Sequence, residues 1–276
     1  MLEQASNQIR ILGTGTSTGV PTIGCDCPVC TSTNARNKRL RTSALIHSKS
    51  GKNFLIDTGP DLRAQLLQNS IKSINATFIT HTHADHVHGI DDLRPFCFVL
   101  KDNIPIYTHK EAQEELKERF PYIFMKEKIF TKNKPVLGGG IPLLELMPTE
   151  IGEKQKILGE EFEFYIVPHG HFKTMIIIHE KMAYLTDISE IPEEVLQILK
   201  KKKLEVLIID CLRKRPHQTH LHLDKTLDYI LQIKPKFAGL IHFSHELEHQ
   251  EIEDEMKKIK EVQIRPLFDG EILNYT

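Results

Sequence analysis

THTHADHVHG, residues 80–89, places His81, His83, Asp85 and His86 within six positions, immediately after the apolar run ATFIT at 76–80. A short apolar run of that length reads as a buried strand, so the four side chains occupy a loop just past its C-terminal end. A loop of alternating ligands can aim His81 and His83 at one cation while Asp85 and His86 point to a second a few ångströms away. Such a loop alone cannot complete two coordination shells. The remaining ligands are expected from other strand ends, where His169 in VPHGH, Asp187 in YLTD and His242 in LIHFSH stand. His171 replaces His169 if the register of that loop differs.

Outward from this loop, the sequence reads as hairpins followed by β/α alternation, once in each half. Toward the N-terminus, IRIL (9–12) enters the turn GTGTSTG, and polar, cysteine-rich sequence to about Arg41 needs a staple to be ordered. The runs 42–47 and 53–57 form a hairpin around Ser50 and Gly51, and a helix follows from Pro60 to about Gln68. Toward the C-terminus come a strand at 104–107, an amphipathic helix at 109–120, a turn at Gly138-Gly139-Gly140, and strands in PLLELM and at 161–167. A second hairpin covers 174–180 and 181–187. Then a helix (192–203), a strand (204–210), a helix (223–233), a strand (237–243), a helix rich in Glu and Lys and two short strands close the pattern. No repeat and no linker divides it, so residues 1–276 are expected to form one α/β domain, with two mixed sheets packed together and helices outside.

The chain has 276 residues, 40 % hydrophobic and 26 % charged, which excludes wholesale disorder and fibrous architectures. The longest unbroken apolar run, 96–100, is far short of the ~20 residues needed to cross a bilayer. Thirty-six basic and thirty-seven acidic residues leave a net charge of -1, so nucleic acid is not favoured as a partner by the global field. The first residues offer neither the basic head nor the apolar middle of a secretory signal, and a cytoplasmic location is expected.

Of five cysteines, three crowd into GCDCPVC as Cys25, Cys27 and Cys30. That spacing suits a tetrahedral zinc in a reducing compartment better than a disulfide framework. A fourth ligand is required, and His245, three residues after His242, is placed to reach a neighbouring closed site. Cys97 and Cys211 lie in apolar contexts and read as packing residues. A third cluster, RKRPHQTHLHLD, holds His217, His220 and His222. The cations Arg36, Lys38, Arg39, Arg41, Arg213, Lys214 and Arg215 are either a lure for a phosphorylated substrate or solvated loops. Lys200 to Lys203 end a helix, where cations are favoured without any ligand. His47, His109, His179 and His249 have no partner motif and read as structural or exposed.

The run His81, His83, Asp85, His86 resembles the HxHxDH signature of the metallo-β-lactamase fold superfamily, and the later strand-end ligands recur in the same order. The resemblance implies a four-layer αββα sandwich. It implies that His81, His83 and His169 hold one metal, that Asp85, His86 and His242 hold a second, and that Asp187 bridges both. Asp57 in LIDTG matches the aspartate that steadies the histidine loop from behind. The cysteine motif with the HxSH element resembles the branch of phosphoribosyl cyclic phosphodiesterases, which implies a structural zinc on Cys25, Cys27, Cys30 and His245 and a general acid at His220.

Two cations about 3.5–4 Å apart hold a bridging hydroxide because coordination lowers the pKa of water from about 15.7 to about 7. The expected activity is therefore hydrolysis of a phosphodiester, a small cyclic phosphate or nucleotide-like ester, with the proton handled by His220 or Asp85. Imidazole and carboxylate ligands accept Zn, Mn or Fe, and Zn or Mn is expected in the active site. The expected partner is a small phosphorylated substrate, with no membrane; homodimerisation stays open. A tRNA 3′-processing nuclease shares the ligand set but adds a long basic, Gly-rich arm with no match here. A non-catalytic carrier, as in cofactor-biosynthesis relatives with a degenerate centre, is disfavoured by the full set of ligands.

Overall fold

The computed structural model describes residues 6–131, 134–135 and 140–276. Gly138 and Gly139, two of the three residues expected to form a turn, lie outside them. Among the described residues, β1 (Asn7–Gly13), β2 (Ser43–His47), β3 (Asn53–Ile56), β4 (Ala76–Phe78), β5 (Ile104–Tyr107) and β6 (Leu144–Met147) belong to one sheet. The second sheet contains β7 (Lys154–Ile157), β8 (Glu160–His169), β9 (Phe172–His179), β10 (Met182–Leu185), β11 (Val206–Asp210), β12 (Phe237–Ile241) and β13 (Gln263–Pro266). The last strand, β14 (Ile272–Tyr275), returns to the first sheet, whose order is β14-β1-β2-β3-β4-β5-β6, while the second runs β13-β12-β11-β10-β9-β8-β7.

Each sheet is antiparallel at one side and parallel at the other. The pairs β14/β1, β1/β2 and β2/β3 are antiparallel and β3/β4, β4/β5 and β5/β6 parallel. In the second sheet β7/β8, β8/β9 and β9/β10 are antiparallel and β10/β11, β11/β12 and β12/β13 parallel. The two expected hairpins are β2/β3 and β9/β10.

Three hydrophobic layers separate four layers of structure. Between the sheets, Phe54, Phe78, Phe162 and Phe164 pack with Ile46, Ile177, Met182 and Tyr184. The alternate residues of the same strands face outward: Leu45 and Leu55 meet α1 (Leu62–Gln68), and Ile104 and Ile106 meet Leu116 of α4 (Lys110–Arg119). On the other side Ile176, Ala183, Leu207 and Leu240 meet α7 (Glu193–Lys201), α8 (Leu223–Ile233) and α9 (His249–Met256). Strands covered on both faces read as continuous apolar runs, and this explains why LEVLIID and FAGLIHF lack alternation. The arrangement is the expected αββα sandwich.

Between these, α2 (Ala84–Val87) carries Asp85 and His86, and α3 (Arg94–Leu100) contains the longest apolar run. A helix turns successive residues by about 100°, so that run buries Cys97 while leaving Phe98 and Val99 exposed. Two single-turn helices, α5 (Pro121–Phe124) and α6 (Lys126–Ile129), extend this layer. No helix among the described residues is long and apolar enough to cross a membrane.

Candidate metal centre

The C-terminal ends of β3, β4, β10, β11 and β12 face one edge of the sandwich, the usual place for a site in open α/β sheets. From them project Asp57, the 80–86 loop, Asp187, Asp210 and His242, and the β8–β9 hairpin adds His169. Asp57, Asp187 and His242 each follow a strand with φ of 63°, 55° and 64°. This left-handed region is uncommon for residues other than glycine, and such strain clusters where side chains must be aimed for function.

Asp57 lies wholly buried beneath the histidine loop. It accepts hydrogen bonds from the Thr80 amide (2.8 Å), the Thr80 hydroxyl (2.8 Å) and His86 Nδ1 (2.7 Å). Because Thr80 gives its proton to Asp57, its oxygen is left to accept from His81 Nδ1 at 3.1 Å. His169 Nδ1 donates to the carbonyl of Thr219 at 2.7 Å. In all three rings the proton is fixed on Nδ1, which leaves the Nε2 lone pair facing the site, as a metal ligand requires. His81 Nε2 and His86 Nε2 are buried with no hydrogen-bond partner among the described residues. A buried, unpaired acceptor is costly unless a ligand meets it, so this donor set fits a cation.

Ligand atoms of His81, His83 and His169 lie within 4.8 Å of one another, as do those of His81, His86 and Asp187, and those of His169, Asp187 and His220. His169 Nε2 approaches His83 Nδ1 at 3.2 Å. His86 Nε2 lies 3.3 Å from Oδ2 of both Asp85 and Asp187 without forming a hydrogen bond to either. It is His169 that enters this group, while the exposed His171 lines the adjoining cleft with His109, Glu111 and Phe172. His242 stands one step back. Its Nδ1 lies 3.2 Å from Asp187 Oδ2 and 3.1 Å from the Thr42 hydroxyl, and its Nε2 faces the Thr16 hydroxyl at 3.2 Å.

The electrostatics favour a positive guest. Burial alone would raise Asp85, yet His86 and His242 hold its carboxyl down at about 2. Asp187, opposed in the same way by burial, is held well below the carboxylate range by His242 and His86. Burial pulls His81 well down and lowers His169 to about 4. His86 departs in the other direction: burial opposes its charge, but Asp187, Asp85 and Asp57 overcome it and raise its pKa well above the ordinary value. A proton there sits where the field of three carboxylates would place a cation.

His220 is beside this centre, its Nδ1 3.0 Å from Asp210 Oδ2 and 3.8 Å from Asp187 Oδ1. Burial lowers its pKa, but the Asp210 carboxylate outweighs that and lifts it to about 8. Asp210 is the residue that sequence reasoning missed. Its signal was present: LIID ends a buried strand on an aspartate, as LIDTG and YLTD do. His217 sits beside His220, with ring centroids 5.2 Å apart, and His222 occupies the position before α8.

The cysteine loop meets His245. Its Nδ1 lies 3.2, 3.5 and 3.6 Å from Sγ of Cys25, Cys27 and Cys30. A tetrahedral zinc with Zn–S of about 2.3 Å and Zn–N of about 2.0–2.1 Å separates sulfur from nitrogen by about 3.6 Å, so the cluster has the dimensions of such a site. The amide of Cys30 chiefly, against some burial, lowers the Cys27 thiol to about 6. Cys97 and Cys211 are buried, as expected of packing residues.

The seven cations considered as a lure are all engaged. Arg36 pairs with Glu253, Arg41 with Asp61, Lys214 with Glu255, and Arg213 and Arg215 with Glu246. Lys38 donates to the Cys30 carbonyl, and Arg39 is buried. These contacts make them ties between loops or from a loop to α9. His109 caps α4, His179 and His249 are buried, and His47 is exposed.

Residues 52–243 match the family model described as a beta-lactamase superfamily domain. The chain is 35 % identical over 261 residues to a Porphyromonas gingivalis protein named octanoyltransferase, covering 94 % of this chain and 50 % of that one. It thus spans about half the length of that curated relative. A crystal structure described as a new diphosphatase from the PhnP family is 35 % identical, with a TM-score of 0.85 over 98 % of this chain and 97 % of that one. Zn-bound PqqB from Methylobacterium extorquens, 14 % identical, has a TM-score of 0.75 over 97 % of this chain and all of that one (100 %), a likeness of fold.

Proposed function

The chain belongs to the beta-lactamase superfamily, and from that premise we propose that it is a metal-dependent hydrolase of phosphoric esters, acting on a small phosphodiester such as a cyclic phosphate or nucleotide-like ester. The observation that carries this reading is the pair of buried, unpartnered nitrogens, His81 Nε2 and His86 Nε2, grouped with Asp187. In this reading His81, His83 and His169 would hold one divalent cation and Asp85, His86 and His242 a second, with Asp187 available to both. Zinc or manganese suits these ligands, and a structural zinc suits Cys25, Cys27, Cys30 and His245. The name of the 35 % identical diphosphatase puts cleavage of a phosphoric bond on a closely similar scaffold.

Bound divalent cations supply Lewis acidity and a deprotonated water at neutral pH. The chain supplies the rest. Asp57, Thr80 and the Thr219 carbonyl orient three imidazoles before any substrate arrives, which removes the cost of ordering them during reaction. Asp85, held at about 2, is a carboxylate at neutral pH, which suits binding a cation better than exchanging a proton. Donation therefore falls to His220. With Nδ1 committed to Asp210, its Nε2–H is the proton available to a leaving oxygen, and a general acid near neutral pKa contributes about 10²- to 10⁴-fold.

The test is hydrolysis of bis(p-nitrophenyl) phosphate with added Mn or Zn, comparing the parent with Asp187→Ala. Metal-dependent turnover in the parent that falls about 10³-fold or more in the variant is expected, because truncation leaves His86 and His242 without their shared carboxylate. No turnover by the metal-loaded parent, on this ester or on a cyclic nucleotide, would sink the reading.

A further inference from the structure

The segment 14–42 leaves the first sheet after Gly13 and rejoins it at Ser43 with no strand or α-helix of its own. It is ordered by Asp269, which accepts from the amides of Thr14 (2.8 Å) and Leu40 (2.6 Å), by Asp61, which pairs with Arg41, and by a second segment, 242–249. The Thr16 amide donates to the Phe243 carbonyl at 3.0 Å. Arg39, 3 % exposed, donates to the carbonyls of Ser244 (3.1 Å) and Leu247 (2.8 Å), and its guanidinium lies 4.8 Å over the Phe243 ring. Asn37 donates to the Glu248 carboxylate (2.6 Å) and accepts from the His249 amide (2.9 Å), and a further tie is the meeting of Cys25, Cys27 and Cys30 with His245.

Both segments converge on His242. Thr16 and Thr42, at the two ends of the first segment, place their hydroxyls 3.2 and 3.1 Å from the two ring nitrogens. His242 also holds a left-handed backbone, φ 64°, which persists only where the surroundings over-determine it. Only two residues separate it from His245, a span of at most about 10 Å when fully extended. A shift of His245 therefore has little slack in which to dissipate.

The geometry points to a positioning role for the thiolate cluster: a cation held by Cys25, Cys27, Cys30 and His245 locks the two segments together, and so fixes His242 against Asp187. Occupancy of the thiolate site then sets the affinity of the His/Asp centre for its own cations, and the coupling is reciprocal. This rests on the reading of that centre as a metal site. Cys25, Cys27, Cys30 and His245 act through His242 and touch no substrate; they are positioning residues.

Manganese affinity of the His/Asp centre, read from the free Mn(II) signal in electron paramagnetic resonance, separates the two claims. The zinc-replete chain is first treated with a chelator that spares the thiolate-held zinc, and its metal content and circular dichroism are recorded alongside. In Cys27→Ser the zinc content falls and Mn(II) binds at least tenfold more weakly, while His245→Cys keeps one zinc and binds Mn(II) within twofold of the parent. A folded Cys27→Ser chain that has lost its zinc yet binds Mn(II) like the parent overturns the coupling. Where Cys27→Ser does not fold, the parent stripped of its thiolate-held zinc by a stronger chelator carries the test: a fivefold or greater loss of Mn(II) affinity that added zinc restores supports the proposal, and unchanged affinity overturns it. A parent that binds no Mn(II) at all overturns the metal reading itself.

Discussion

Asp210 and His220 illustrate how one carboxylate sets the working state of its neighbour. The 3.0 Å contact fixes the proton on His220 Nδ1 and, against the pull of burial, lifts the imidazole to about 8. In Asp210→Asn the amide oxygen still accepts from Nδ1 but the charge is gone. Hydrolysis is expected to fall about 10- to 100-fold, the usual cost of losing an orienting partner, and the alkaline limb of kcat should move down from near pH 8. An unchanged limb would detach His220 from proton donation. His249 gives the opposite sign. Burial first, then Arg39 and Arg36, lower it to about 4, so the folded chain holds it neutral while the unfolded chain protonates it near 6.5. Its contribution to stability is present above pH 6.5 and is lost as pH falls through 4. His249 Nδ1 has no hydrogen-bond partner among the described residues, so His249→Leu removes a titration without breaking a bond. Urea midpoints measured from pH 7 to 4 should decline less steeply in the variant than in the parent.

At the scale of elements, α2 owes its position to two glycines. A Cβ on Gly59 would lie 2.1 Å from the Asp85 carbonyl, and one on Gly89 would lie 2.0 Å from the Gly59 carbonyl. The backbones of LIDTG and HVHG therefore touch, and Thr58 N–H to His86 O and Gly89 N–H to Thr58 O, both 2.7 Å, close the contact. Gly59→Ala must push this helix away and carry Asp85 and His86 with it. We expect a loss of about 1–3 kcal/mol, as for overpacking elsewhere, and Mn(II) affinity weaker by tenfold or more; parent-like affinity would show that α2 can shift without the site. This brace explains what was legible beforehand. Most strands read correctly because apolar β-branched runs such as ATFIT and LEVLIID have a local cause, and their polar end residues marked the site; β7, KQKI, escaped because it carries no apolar run. The helix α3 was not legible, since its five apolar residues say nothing about which face is inward. Asp210 escaped because its role depends on His220, ten residues on, turning back toward it. The pairing of the cations with Glu246, Glu253 and Glu255 likewise joins segments remote in sequence.

Across the whole molecule, two sheets must be held in one relative position for ligands from both to meet. The first sheet supplies Asp57 and the 80–86 loop, the second His169, Asp187, Asp210 and His242. Most of that registry is apolar: Phe78 packs edge-on against Phe162 and Phe164 with centroids 4.8 and 5.3 Å apart. Such contacts give cohesion with little direction. Part of the directional fixing comes from a polar bridge toward the opposite end, where the hydroxyl of Tyr275 on β14 meets His179 Nδ1 on β9 at 2.7 Å. Both residues are buried, and His179 Nε2 lies 3.5 Å from Glu160 Oε2. Tyr275→Phe keeps the ring, which packs on His179 with centroids 5.7 Å apart, and removes only the hydroxyl. The stranded His179 nitrogen should cost about 1–3 kcal/mol, read as a lower urea midpoint with an unchanged m-value. If the bridge matters for registry and not stability alone, Mn(II) affinity at the far edge falls as well; if it serves stability only, the midpoint drops while binding below the transition stays as in the parent. His179→Phe, which replaces the bridge by an apolar ring, should then recover much of the midpoint, because an unpaired polar group costs more than a missing pair.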